Sequence, residues 1–231
     1  MNKAEAYGNR RLAKQINKEK HSNMLIKTFI VKLQENKLNN KVKDALSLLY
    51  VEAKWYKNFI VDYLEKGNKL KDFDTKIKTI THKDKDNNDV EVKLKHLSSQ
   101  MRRGTVDWIQ YSLNCLHAKK LKGQKVGKLK YCKCVKAIPL TQYGNTFTFN
   151  ENYTRVHIQG IKGTLRFNGG EQLKNIKHDF DIQCAKLVRT AEGYFIHVTV
   201  YVEKDESITR SSEEIGIDYG IKDAFTFSNG K

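Results

Sequence analysis

Asp218 is the residue whose neighbours in the sequence most clearly predict a chemical role. It ends an apolar run that contains Ile215 and Ile217, and Gly220 and a second apolar stretch, 224–227, follow it. This order is typical of a strand, a tight bend and a second strand. A carboxylate at the end of a buried strand can bind a divalent ion, and Mg²⁺ accepts few carboxylates while it keeps several waters. The pattern therefore predicts Asp218 as a metal ligand and catalytic residue.

A metal site of this kind needs several carboxylates, and only residues 219–231 follow Asp218. We expect its partner ligands to lie outside these 231 residues, so the predicted metal site is incomplete and cleavage by this chain alone is not expected. An ordinary hairpin with a solvent-exposed Asp218 is the alternative interpretation.

Lysine and arginine dominate the charge of the chain. The 43 Lys and Arg residues outnumber the 26 Asp and Glu residues, which gives a net charge of +17. An excess of this size indicates a polyanionic partner, and general solubility is the alternative. Nucleic acid is favoured over a membrane because no segment has the length and purity of a spanning helix. The polar N-terminus contains no signal peptide, which predicts a cytoplasmic location.

The densest basic run predicts a surface that follows a phosphate backbone, with an affinity that falls steeply as salt is added. Two arginines on a predicted helix, away from its apolar side, are expected to contact an RNA–DNA duplex through its shape. A solvated face is the alternative for the two arginines. The predicted binding residues are Arg102, Arg103, Lys119, Lys120, Lys122, Lys125, Lys128 and Lys130, and the run continues through Lys133 and Lys136.

Aromatic residues within and after the basic run have two interpretations. They could stack exposed bases, but filling the core of a β-domain is favoured for most of them. They are Tyr131, Tyr143, Phe147, Phe149 and Tyr153.

The cysteines and histidines predict no metal site of their own. The four cysteines lack the paired spacing of a zinc module, and the seven histidines are scattered. Free thiols in a reducing compartment are the favoured interpretation of Cys132 and Cys134.

Two long helices are expected to position the basic residues. The first lies between Asn39 or Asn40 as cap and Gly67, with apolar residues spaced alternately by four and three positions. The second runs from about Ser99 to Leu121, and Gly104 is unfavourable inside it. The charged connector 68–95 is predicted to be a surface hairpin or loop.

Strands dominate the rest of the chain. The first is expected over 24–33 and to join the later sheet, whose strands are predicted at 126–138, 145–149, 153–158, 162–167, 178–190 and 194–203. The fold class is α+β, with a small basic β-barrel. The predicted parts are a basic extension (1–23), the first strand (24–37), a helical insert with a charged connector (38–123), the β-domain (124–205) and a linker with the start of a further domain (206–231).

The chain resembles the first half of a TnpB protein, a family that insertion sequences encode and that is similar to compact type V CRISPR effectors. Residues 216–230 read G-I-D-Y-G-I-K-D-A-F-T-F-S-N-G. They resemble the family pattern of G-I-D-x-G, a short Lys-containing turn and a strand that ends in Ser or Asp and Gly. In this resemblance Asp218 matches the first RuvC carboxylate. Residues 123–131 resemble the entry to the wedge domain, and 186–203 resemble the paired strands before RuvC.

The resemblance implies an RNA-guided DNA endonuclease of the bacterial cytoplasm, nucleoid-associated when bound, whose partners are a guide RNA and target DNA. A wedge-type β-barrel and a two-helix recognition insert would hold the RNA, and a RuvC domain of the ribonuclease H-like fold would cut with Mg²⁺. The later RuvC carboxylates and the four-cysteine zinc element of the family do not occur in residues 1–231. The expected function of the chain is therefore nucleic-acid binding, no cofactor is certain for it, and its own enzymatic activity stays open.

Two other classes of function remain open. The first is a nuclease-deficient regulator that binds RNA or DNA. The second is an actin-like ATPase, whose fold contains a similar strand–Asp–Gly pattern near its N-terminus. The charge of +17 disfavours the ATPase. Self-association is open in each case.

Overall fold

A computed structural model describes residues 12, 15–84, 86, 88–176 and 179–204, together with the backbone of 217–218 and 226–227. The helices are α1 (residues 15–20), α2 (Asn40–Glu65), α3 (Ser99–Leu121) and α4 (Glu171–Lys174). The strands are β1 (Met24–Leu33), β2 (Thr79–Lys83), β3 (Asp89–Lys93), β4 (Ala137–Leu140), β5 (Phe147–Phe149), β6 (Arg155–Ile158), β7 (Leu165–Asn168), β8 (Phe180–Thr190), β9 (Gly193–Glu203), β10 (Ile217–Asp218) and β11 (Thr226–Phe227).

Seven strands form one antiparallel sheet that is nearly closed into a barrel, in the order β4-β8-β9-β1-β7-β6-β5. The prediction that the first strand joins the later sheet is confirmed, because β1 pairs with β9 from Met24↔Glu203 to Lys32↔Phe195. Along β9 the buried residues alternate with half-buried ones, as the sequence pattern predicts. The observed class is therefore mixed α and β, with a barrel-like sheet.

Helix α2 has the cap and the apolar face that its sequence predicts. The side chain of Asn39 accepts a hydrogen bond from the backbone N–H of Val42 at 2.9 Å. Beyond the last turn, Gly67 has a φ of +85°, which an L side chain rarely adopts. The Tyr50 hydroxyl donates to the carbonyl of Leu187 at 2.9 Å and ties the helix to β8. The fully or nearly fully buried face comprises Leu46, Leu49, Ala53, Tyr56 and Ile60.

Helix α3 contains a glycine because it packs closely on β4. A Cβ added at Gly104 would lie 2.6 Å from Cγ2 of Thr141 and 2.9 Å from two ring carbons of Pro139. Glycine costs a helix interior about 1 kcal/mol relative to alanine. The close packing against Pro139 offsets that cost. Gly104 is therefore explained by the packing of α3 on β4, although it lowers the helix propensity of the sequence.

A buried carboxylate holds the turn that leads into α3. Glu52 of α2 is 5% exposed and accepts the backbone N–H groups of Lys95, His96 and Leu97 at 2.9, 2.8 and 2.8 Å. The connector before this turn contains the predicted surface hairpin, β2 paired with β3. His82 of this hairpin stacks on Trp55 of α2 with ring centroids 4.3 Å apart.

The strand predicted at 126–138 is wrong over most of its length. Only Ala137–Leu140 forms a strand there, paired with β8, and residues 124–136 are irregular. The backbone at Cys132 pairs with the side chain of Asn58 on α2 instead of with a neighbouring strand. The other five strands predicted after 138 are confirmed, each with bounds shifted by a few residues.

The backbone around Asp218 is paired with another strand. Ile217 lies opposite Phe227 and Asp218 opposite Thr226 in an antiparallel pair. The side chains of these residues and the chain between the two strands lie outside the described residues.

Candidate nucleic-acid interface

Residues 124–136, which we name the basic segment, lie against α2 through an amide side chain. Nδ2 of Asn58 donates to the carbonyl of Cys132 at 3.1 Å, and the N–H of Cys132 donates to Oδ1 of Asn58 at 2.8 Å. One side chain thus supplies the donor and the acceptor that a neighbouring strand would have supplied. Leu129 and Val135 pack against the core from the same segment.

A second contact holds the basic segment near the end of α2. The Tyr131 hydroxyl donates to Oε2 of Glu65 at 2.8 Å. This hydrogen bond to a carboxylate raises the pKa of Tyr131 to about 12, because it stabilises the protonated phenol. The segment is therefore held at two of its residues by side chains of one helix.

An open groove of about 1110 Å³ lies between α2, α3, the basic segment, β4 and β8. Four of its apolar lining residues are each less than 5% exposed, namely Ala53, Val61, Ile109 and Ile138. Five lysines share the lining with them, and we name the cavity the lysine groove. They are Lys57 of α2, Lys128, Lys130 and Lys136 of the basic segment, and Lys186 of β8.

The charge of the lysine groove is of one sign. Among the described residues that line it, none is Asp or Glu. Lys57 is half-buried and the other four lysines are exposed. A cleft lined by one sign of charge attracts ligands of the opposite sign. Lysines that neutralise the phosphates of a nucleic acid also release the cations condensed on it, and this release adds to the affinity. The groove is therefore suited to a ligand with several negative charges.

Aromatic rings extend the groove on the side of α3. Trp108 and Tyr111 line it, with 36% and 72% of their surface exposed. Nζ of Lys186 lies 5.7 Å from the centroid of the Trp108 ring, within the range of a cation–π contact. The groove thus presents rings and positive charges next to each other.

The predicted lysines lie where a ligand can reach them. Lys119, Lys120 and Lys122 are exposed at the end of α3, and Lys125, Lys128 and Lys130 are exposed along the basic segment. Of these six residues, the groove brings together Lys128 and Lys130. Arg103 is exposed on α3.

The prediction that Arg102 lies on the solvent side of α3 is wrong. It is 3% exposed, and Nη1 donates to the carbonyl of Leu97 at 2.9 Å. Burial lowers the pKa of its guanidinium, and the nearby Tyr56, Glu52 and Asp74 oppose that shift. Arg102 therefore supports the turn before α3 and offers no charge at the surface.

The aromatic residues within and after the basic run are mostly core, as the favoured interpretation holds. Phe147 is fully buried, and Phe149 and Tyr153 pack on the core. The ring of Phe149 lies within 6.2 Å of the rings of Tyr143, Phe147, Tyr153 and Phe167. Tyr131 and Tyr143 keep 51% and 36% of their surface exposed.

Two of the groove lysines, Lys57 and Lys186, were not predicted as binding residues from the sequence. Lys57 lies four positions from both Ala53 and Val61, so its helical spacing carried a signal that it borders the apolar face of α2. Lys186 carries no such signal, because only the pairing of β8 with β4 brings it to the groove. Trp108 of α3 is an apolar residue that also lines the groove.

Magnesium at Asp218 stays a prediction. The carboxylate of Asp218 lies outside the described side chains. In the part of the chain that the structure describes, no three His, Cys, Asp or Glu side chains come together as metal ligands. The four cysteines are unpaired, and burial raises the pKa of the Cys132 thiol.

Comparisons with known proteins identify no family. No family model matches the chain, and no curated protein matches it. Within the described residues, the helices are too short or too polar to cross a membrane.

Proposed function

We propose that this chain binds nucleic acid through the lysine groove. The observation that carries the proposal is the set of five groove lysines beside two exposed rings, with no carboxylate among the described lining residues. Contacts of Lys and Arg with phosphates supply essentially all of the non-specific affinity of nucleic-acid-binding proteins and a large share of their specific affinity. The net charge of +17 supports the same partner.

The finer proposal is that the chain is the nucleic-acid-binding N-terminal portion of a TnpB-like RNA-guided DNA endonuclease. It rests on the similarity of residues 216–230 to the start of RuvC. In this proposal the barrel-like sheet corresponds to the wedge domain, α2 and α3 to the recognition insert, and Asp218 to one carboxylate of a magnesium site in the whole enzyme. Guide RNA and target DNA are its proposed partners.

RNA binding as a function of salt tests the proposal. We expect tight binding at low salt, and a log–log slope that reflects several neutralised phosphates. Changing Lys128, Lys130 and Lys136 together to Gln is expected to reduce that slope by about 2, since each lost phosphate contact contributes about 0.7 for a single strand. The proposed ligand of Asp218 is magnesium rather than a phosphate of the RNA, so the variant Asp218→Asn is expected to bind RNA as the unmodified chain does.

A matched variant controls for the loss of charge. Lys37, Lys41 and Lys43 are exposed, lie outside the groove lining and carry the same three charges. Their joint change to Gln is expected to alter the slope much less. Equal effects of the two triple variants, or a flat salt dependence of the unmodified chain, would refute binding through the groove.

The finer proposal has its own test. RNA that co-purifies with the chain from its native cell would be sequenced, and one defined species is expected to be enriched over its cellular abundance. Recovery of cellular RNA in proportion to abundance would contradict an RNA-guided protein while leaving simple nucleic-acid binding intact.

A further inference from the structure

We infer that the lysine groove binds a single strand and that unpaired bases stack on Trp108 and Tyr111. The inference rests on the proposed nucleic-acid binding and names the form of nucleic acid that the groove takes. Its ligand is a single-stranded chain of phosphates with bases free to leave their stack.

Two rings lie on one face of α3. Trp108 and Tyr111 are three positions apart, so they are neighbours on the helix surface. Both line the groove, and Tyr111 is 72% exposed although it is a large ring. Stacking on exposed aromatic side chains is the usual way that proteins bind bases of a single strand without sequence preference.

The chemistry of the groove separates phosphates from bases. The ammonium groups of Lys128, Lys130 and Lys136 belong to exposed residues of the basic segment. The buried lining residues Ala53, Val61 and Ile109 are apolar. A single strand has the same two parts, a charged backbone and flat, weakly polar bases. A cavity of about 1110 Å³ exceeds the usual range of a pocket for one small ligand, so it offers space for more than one base.

Other polyanions would use only part of this surface. A duplex keeps its base faces inside the stack, so it would meet the lysines and leave the rings unused. An acidic peptide or a polyphosphate would likewise be held by charge alone. Nζ of Lys186 lies 5.7 Å from the centroid of the Trp108 ring. A base stacked on this ring would therefore lie next to an ammonium group that can contact a phosphate.

Tryptophan fluorescence provides a direct test, because the chain has two tryptophans and only Trp108 lines the groove. Trp55 stacks on His82 and is not among the groove residues. In the variant Trp55→Phe, oligouridine and oligothymidine of about 12 nucleotides are expected to quench the remaining fluorescence. In the variant Trp108→Phe the same strands are expected to cause little change. Polyphosphate, which has no bases, serves as the control for charge.

Affinity measurements give the second test. Tyr111→Ala, at a mostly exposed site, and Trp108→Leu, which keeps an apolar side chain, are each expected to weaken single-strand binding by about 5- to 150-fold. Trp108→Phe is expected to recover most of that loss. Duplex and polyphosphate affinities are expected to stay nearly constant in all three variants. Comparing oligouridine with oligodeoxyuridine, which has the same base and lacks only the 2′-hydroxyl, distinguishes RNA from DNA, and a preference for oligouridine would indicate a contact with that hydroxyl.

The outcomes separate this inference from the proposed function. If the groove lysines control binding but single strands neither quench Trp108 nor depend on Tyr111, the stacking site is refuted and nucleic-acid binding stands. If no nucleic acid binds with a salt dependence set by the groove lysines, both are refuted.

Discussion

Replacing Asn58 with alanine is expected to open the basic segment while the rest of the chain stays folded. The change removes both hydrogen bonds to Cys132, at 3.1 and 2.8 Å. A hydrogen bond of this kind contributes about 1 kcal/mol, so the loss amounts to about 2 kcal/mol, and water that reaches the half-buried site reduces it. The population of the open segment is therefore expected to rise by up to about 30-fold.

Trypsin cleavage measures this opening, since the segment contains lysines at 125, 128, 130, 133 and 136. When cleavage is slow relative to reclosing, its rate follows the population of the open form. We expect cleavage between residues 125 and 136 to accelerate by up to about 30-fold in the variant, as measured by mass spectrometry of the fragments. RNA affinity is expected to change little while the closed form still dominates, because the apparent affinity scales with the fraction of competent protein.

Asn114→Ala is the matched control. Asn114 is exposed on α3, and its side chain accepts a hydrogen bond only from Gln110 among the described contacts. The same substitution there is expected to leave cleavage of the basic segment unchanged. If Asn58→Ala also leaves the cleavage rate unchanged, the amide of Asn58 does not hold the basic segment. Its hydrogen bonds to Cys132 then do not take the place of the strand pairing predicted for this segment.

Three further predictions concern stability. Gly104→Ala is expected to lose about 1 to 2 kcal/mol in urea unfolding, because the clash with a rigid proline ring exceeds the gain in helix propensity; Gly127→Ala, with open space around it, should be nearly neutral, and equal effects would contradict the packing argument. Glu52→Gln is expected to lower the free energy of unfolding by about 2 to 3 kcal/mol, because the amide nitrogen would face a backbone N–H that now donates to the carboxylate. An unchanged urea midpoint would contradict this. Hydrogen bonds from Lys20 and His21 hold the pKa of Asp181 below its usual range, so the carboxylate contributes stability above about pH 4 that is lost as pH falls through the lowered pKa. The stability difference between the unmodified chain and Asp181→Asn should therefore shrink on acidification, and a constant difference between pH 7 and pH 2 would refute that role.

The sequence predicted the elements whose signals are local. Asn39 and Gly67 mark the ends of α2 because caps act through the backbone within one turn. The strand predicted at 194–203 was found because its residue types alternate along the chain, and the structure buries every second residue of β9. The first strand was found because it is apolar and β-branched.

Features that depend on tertiary contacts were missed. The basic segment alternates as a strand would, but its backbone partner is the side chain of Asn58, 74 positions earlier. Arg102 looked exposed because charged residues usually are, yet its guanidinium donates to the carbonyl of Leu97 in a buried turn. The lysine groove combines two helices, an irregular segment and two strands, so no local pattern predicts it as a unit.

The barrel-like sheet joins the two ends of the described chain, and this affects how the protein is made. Glu35, just after β1, accepts the N–H of Tyr194 across 159 positions. A ribosome therefore releases β1 long before its partner β9 exists, and most of the β1 backbone lacks its pairing partner during that time. Contacts this distant in sequence slow folding. Any shorter piece that stops before residue 193 leaves β1 without β9, and such a piece is expected to accumulate as insoluble protein in an expressing cell.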